Sequence, residues 1–216
     1  MYQNIPTKVL TGESRLSYVH LSEKYVNPKQ GGDPRFSCTL LIPKSDTATK
    51  ADIDSAIQAA YEAAVVSDWK GARPTLKNAL IYDGDSVRTD GTQFGPECKG
   101  HWVITAGSKN RKPQVVHISN IDCELPPQEI YSGMYARVTL NFFAYSNAGG
   151  KGIGCGLGNV LKTRDGEPLG GGASAASDFA DIGRSATQAA GAGIPGMQVP
   201  TTQAAPRINP ITGLPM

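Results

Sequence analysis

Between Tyr135 and Tyr145 the sequence alternates two kinds of side chain. Ala136, Val138, Leu140, Phe142 and Ala144 make one set, an ordinary core face; Tyr135, Arg137, Thr139, Asn141, Phe143 and Tyr145 make the other. In a strand each set shares a face. The second face therefore gathers rings, a guanidinium and hydrogen-bonding groups. Rings stack on unpaired bases, and Arg pairs with phosphate or stacks in turn. The competing reading is a face covered by a helix or by another subunit, in which the same rings only pack.

The run from Gly149 to Gly158 adds a second pattern. Gly152, Gly154, Gly156 and Gly158 alternate with Ile153, Cys155 and Leu157. It is no Walker loop, because Gly152 and not Ser or Thr follows Lys151, and Asn159 stands where a dinucleotide fingerprint needs its third glycine. Read as a strand, it has a glycine face on which rings of a neighbouring strand can lie flat, or which a ligand can approach closely. Lys151, at the turn, is placed to meet phosphate.

Charge is segregated along the chain. Lys+Arg total 21 and Asp+Glu 19, a formal net charge of +2, which excludes nucleic-acid binding through bulk charge. Yet no acid occurs from Tyr131 to Arg164, which holds Arg137, Lys151, Lys162 and Arg164, or from Lys99 to Ile121, which holds Lys99, Lys109, Arg111 and Lys112. Trp69 to Tyr82 is also acid-free and holds Lys70, Arg73 and Lys77. A local positive groove is expected. The polar, basic turn Ser108–Pro113, between two strands, suits a backbone-tracking loop as well as a solvated hairpin tip. The phosphate-contacting candidates are Arg137, Lys109, Arg111, Lys112 and Lys151; the stacking candidates are Tyr135, Phe143, Tyr145 and Trp102, although Trp102 suits a core equally.

Other chemistry is poorly supported. Cys98 and His101 have C-x-x-H spacing, with His117 and Cys123 further on, but free thiols and unrelated histidines explain the same residues. No nucleophile motif accompanies the three histidines, and Asp83-Gly84-Asp85 and Asp165-Gly166-Glu167 read as turns. A metal-dependent nuclease would need clustered carboxylates that the sequence does not display. The expectation is no catalysis, no metal and no cofactor. The four cysteines form no CxxC pair, there is no run of 18 apolar residues and no leader-like start, so a reduced cytoplasmic protein without a membrane span is expected.

Strands must position these residues. They are expected over 15–21, over 35–42 with Phe36, Cys38, Leu40 and Ile42 inward, over 79–82, 101–106 and 114–119, over 131–145 as the longest, and over 152–162. One helix interrupts them: Thr49-Lys50-Ala51-Asp52 resembles a capping box, Ile53, Ile57, Ala60, Tyr61, Ala64 and Val65 share a face, and Gly71 stops it. The pattern is mainly β, with one inserted helix, and fits an OB-like barrel or a sandwich. Residues 1–169 read as one domain. Residues 170–216, rich in Gly, Ala and Pro with Phe179 as the sole aromatic, read as a flexible tail.

Several segments, in order, resemble one family: Leu16-Ser17-Tyr18-Val19, Leu41-Ile42-Pro43-Lys44-Ser45-Asp46-Thr47, Tyr131-Ser132-Gly133, Gly150-Lys151-Gly152-Ile153 and Asp165-Gly166-Glu167-Pro168-Leu169-Gly170-Gly171. Over roughly residues 10–180 the chain is similar to phage single-stranded-DNA-binding proteins of OB fold, first catalogued as a phage domain of unknown function. The resemblance implies a non-enzymatic protein that coats and protects single strands during phage DNA replication or recombination in the host cytoplasm. Its implied partners are single-stranded DNA, further copies of itself and phage replication or recombination proteins. The alternative, from the residues, is a structural virion or assembly protein that uses the aromatic face for protein contacts. One departure stands out: many phage and bacterial single-strand binders end in an acidic tail, whereas here Asp178 and Asp181 are balanced by Arg184 and Arg207, and the end, Ile208–Met216, is apolar, a candidate docking peptide.

Overall fold

The computed structural model describes residues 2–26, 28, 31–76, 79–88, 91–147 and 150–170. Apart from Gly170, the expected tail and its apolar end lie outside the described residues. Among the described residues nine strands and one α-helix follow in the order β1 (Lys8–Leu10), β2 (Ser14–Tyr25), β3 (Arg35–Pro43), α1 (Thr47–Val66), β4 (Ile81–Asp83), β5 (His101–Ser108), β6 (Val115–His117), β7 (Asn120–Glu124), β8 (Tyr135–Asn147) and β9 (Gly150–Arg164). The strands 15–21, 35–42, 101–106 and 152–162 fall within β2, β3, β5 and β9, each of which runs longer. The strand expected over 131–145 starts later, at Tyr135, and β9 rather than β8 is the longest, with 15 residues. Gly133 sets that start: its φ is +116°, and a Cβ there would meet the Glu167 carbonyl.

Strands β2, β3, β5, β9 and β8 pair in that order, and β8 pairs again with β2. The ring is OB-like, one of the two arrangements the pattern left open, and is closed at two short seams. Ser14↔Ala136 and Arg15↔Tyr135 join β2 to β8, and the parallel pair Gly107↔Gly156 joins β5 to β9. Its interior is the apolar face of each strand. Leu16, Cys38, Leu40, Ile42, Ile104, Val138, Leu140 and Phe142 are all buried in one cluster, which Ile53, Ala56, Ala60 and Ala64 of α1 join.

The helix begins earlier than expected. Asp46, not Thr49, is the N-cap: its Oδ1 accepts from Thr49 N at 3.0 Å. The Thr49 hydroxyl instead accepts from Gly12 N at 2.8 Å, tying the helix start to the β1–β2 connection. At the other end α1 stops at Val66, and Gly71, with φ +84°, returns its N–H to the Val65 carbonyl at 2.7 Å, so it closes a further turn after the helix rather than the helix itself.

Candidate nucleic-acid interface

The register of β8 against β9 sets Tyr145 opposite Gly152, Phe143 opposite Gly154 and Asn141 opposite Gly156. Directly opposed residues share a face at close range. A Cβ added to Gly154 would stand 2.7 Å from Phe143 Cζ, one on Gly156 3.4 Å from Phe143 Cε1, and one on Gly152 inside the Tyr145 phenol. The rings thus lie over the glycine backbone, as the glycine face allows. Each is held from beneath and keeps an outer surface in solvent: Phe143 is 47% and Tyr145 39% exposed. A fixed, half-exposed ring offers a stacking surface with little side-chain entropy left to lose.

These rings line one side of an open groove of about 890 Å³. Lys8 enters it from β1, opposite Asn141. Across β9 lie Thr105 and Gly107 of β5, then Arg35 and Ser37 of β3. The Arg35 stem lies over Gly107, where a Cβ would come 3.2 Å from Arg35 Cδ. The turn after β5 supplies Lys109 and Arg111. Ser108 pins that turn: its hydroxyl donates to Arg111 O at 2.6 Å and accepts from Arg111 N at 3.2 Å. Arg111 Nη2 reaches Asn159 Oδ1 at 3.4 Å, and Lys109 is ion-paired with Asp33 at 2.7 Å. The hydrogen bond from Lys109 holds the Asp33 carboxyl below its usual range, so it is ionised at neutral pH and occupies a groove cation.

Four of the nine predicted site residues, Lys109, Arg111, Phe143 and Tyr145, line this groove; the other five do not. Arg137 is turned to structure, its Nε donating to the Thr11 carbonyl at 2.9 Å. The Tyr135 ring is covered by the Arg164 guanidinium, 3.4 Å from its centroid, and Arg164 is itself paired with Glu13 at 2.9 Å. Trp102 packs against the core, with Lys44 and Lys50 5.2 and 4.9 Å from its centroid. Lys151 lies opposite Ser146 near the end of the β8–β9 ribbon, and Lys112 is exposed on the turn beyond Arg111. Acid-free sequence proves a poor guide to free charge. Lys162, only 3% exposed, is paired with Asp165 at 2.7 Å, and Arg73 grips Glu62 with both nitrogens, at 3.0 and 2.8 Å. The sequence reading missed Lys8 and Arg35. Arg35 carried a signal, since it alternates with the inward Phe36, Cys38 and Leu40 and so had to face outward.

Among the described residues no three His, Cys, Asp or Glu side chains come together as a metal site. Burial pushes the Cys38 thiol up to about 12 and raises that of Cys155; Cys38 is an unreactive core thiol, whereas Cys155 is only partly buried and lines the groove. Among the described residues no helix is long and apolar enough to cross a membrane.

Fold and site together define a class: an OB-like barrel whose outer sheet face carries flat rings and converging cations. The chain belongs to the Enterobacter phage Enc34 ssDNA-binding protein family, whose model matches residues 7–190. It is 31% identical to the single-stranded DNA-binding protein from bacteriophage Enc34, solved in complex with ssDNA, with a TM-score of 0.63 over 76% of this chain and 90% of that one. It is also 28% identical, over 186 residues, to the putative protein p50 of Acyrthosiphon pisum secondary endosymbiont phage 1, covering 81% of this chain and 94% of p50. The crystal structure of gp2.5, a single-stranded DNA-binding protein encoded by bacteriophage T7, shares the fold at 16% identity and a TM-score of 0.52, covering 89% of this chain and 97% of that one.

Proposed function

We propose that the chain binds single-stranded DNA with little sequence preference, coating and protecting it during phage DNA replication or recombination in the host cytoplasm, without covalent chemistry. The observation that carries this is the pair of rings laid on glycines beside cations from two separate strands and a loop. Bases stack on Phe143 and Tyr145, and Lys8, Arg35, Lys109 and Arg111 neutralise phosphates. Every base has a π-face, so such a surface tolerates sequence. A duplex hides those faces within its own stack. A surface built only for protein contacts needs the rings but not the interleaved cations, which favours nucleic acid over a virion-assembly role.

The test is fluorescence anisotropy of labelled oligo-dT at several salt concentrations, with matched duplex as competitor. Each phosphate contacted lowers affinity with a log–log slope of about −0.7, so four engaged cations give about −3. Binding that is steep in salt and resists duplex is expected. Affinity that is flat in salt, or lost to equimolar duplex, overturns the reading.

A further inference from the structure

The groove face does not end at β3. β2 is its next neighbour, and Tyr25 lies directly opposite Arg35 while His20 lies opposite Ser37; both β3 residues line the groove. Opposed side chains project to the same side of a sheet, so the two β2 rings continue the surface that holds Phe143 and Tyr145. They are stacked on each other, with centroids 4.1 Å apart and planes 6° from parallel, and Tyr25 stays 43% exposed. Burial lowers the His20 pKa, so at neutral pH its ring is uncharged.

The backbone is distorted to achieve this. The β2–β3 register shifts between Ser17 and His20 and again between His20 and Tyr25, and Tyr18 sits in the first shift at φ +47°, a conformation bulky residues rarely adopt. A bulge inserts one residue and re-aims those that follow. Here it leaves Val19 packed against the core and turns His20 outward, opposite Ser37. Strain of this kind persists where the surroundings enforce it and concentrates at binding sites.

We infer that the His20–Tyr25 stack is a further base-stacking subsite, at which single-stranded DNA leaving the Phe143–Tyr145 rings crosses β9, β5 and β3 and places a base on Tyr25, with Arg35 taking the intervening phosphate. This rests on the proposed single-strand binding and specifies its path. Four inter-strand steps of about 4.8 Å separate β8 from β2 along this path, roughly 19 Å, so the strand runs across the sheet rather than along a strand.

The experiment compares oligo-dT of about 4 and about 16 nucleotides, the two ends of the usual footprint of such barrels, on the full chain and on Tyr25→Ala, Tyr25→Phe and Phe143→Ala. Losing one stack should weaken the long oligonucleotide about 5- to 150-fold in Tyr25→Ala, leave the short one unchanged, and be rescued in Tyr25→Phe. Phe143→Ala should weaken both. Irradiation of the long oligonucleotide carrying 5-iododeoxyuridine should crosslink Tyr25 or His20 in the unmodified chain, which needs no variant to fold. Tyr25→Ala binding both lengths like the parent, or losing both equally, overturns the subsite, as does crosslinking that spares β2. If Phe143→Ala is weakened in those same assays, the groove reading survives that failure. An unmodified chain that binds neither length fails the groove reading itself.

Discussion

The two ends of the β8–β9 ribbon look alike in sequence and are opposites in structure. At one end Tyr135 and Arg137 face outward, at the other Phe143 and Tyr145 do. At the first end the partner strand sets Arg164 opposite Tyr135 and the buried Lys162 opposite the core residue Ala136, and each polar group is spent: Arg164 covers the Tyr135 ring, Arg137 holds the Thr11 carbonyl, and Lys162 is held by Asp165 and the Glu129 carbonyl. At the second end the partner strand presents glycine, and nothing on β9 competes for the rings. A ring's availability is set by what stands across from it, not by the strand that carries it. The first end closes the barrel; the second keeps its rings open to solvent.

Four variants break or sharpen that contrast, in falling order of effect on single-strand affinity. Removing both rings, in Phe143→Ala/Tyr145→Ala, should cost about 1–3 kcal/mol per lost stack, read as anisotropy with oligo-dT, while circular dichroism shows the fold retained. Gly154→Val attacks the platform and not the ring. Its Cβ would stand 2.7 Å from Phe143 Cζ, so the ring must lift. Affinity should fall about tenfold, and the melting temperature should fall too, since overpacking costs about 1–3 kcal/mol. Asp33→Asn should act in the opposite direction. It releases Lys109 from an exposed, solvent-screened ion pair, so affinity should rise modestly at low salt, and the gain should shrink as salt is added. Arg137→Met, at the closed end, should leave affinity where it was and lower stability, because a hydrogen bond from a charged group is worth about 1.5–3 kcal/mol; thermal melting alongside the same titration separates the two.

Much of the fold was legible because its strands are half-buried. Phe36, Cys38, Leu40 and Ile42 alternate with outward residues, and all four are buried. β7 was not legible, since all five of its residues are exposed and leave no apolar rhythm to read. β1 is three residues long and depends on β8 for its pairing. At the site, the glycine alternation carried the most information, because it names the positions where a ring can lie without naming the ring; the register then supplies Phe143 and Tyr145. Charge carried the least, because ion pairing is decided by neighbours distant in sequence: Arg164 meets Glu13, and Lys109 meets Asp33. The segments that resemble the family prove to be largely structural. Tyr131 donates to Asp165 Oδ1 at 2.9 Å, and the Leu169 N–H reaches the Ser132 carbonyl at 2.7 Å, so two of the signatures clasp each other at the closed end. The resemblance therefore reads the frame, and the groove has to be read from the face.

Hydrogen–deuterium exchange of the full chain, with and without saturating oligo-dT, tests the contrast most directly. Slowed exchange should appear in peptides spanning 139–146, 152–158 and 105–111, with those spanning 132–137 and 161–167 unchanged. Protection confined to the Tyr135–Arg164 end, with the glycine-backed rings exchanging as in the free protein, would contradict the account.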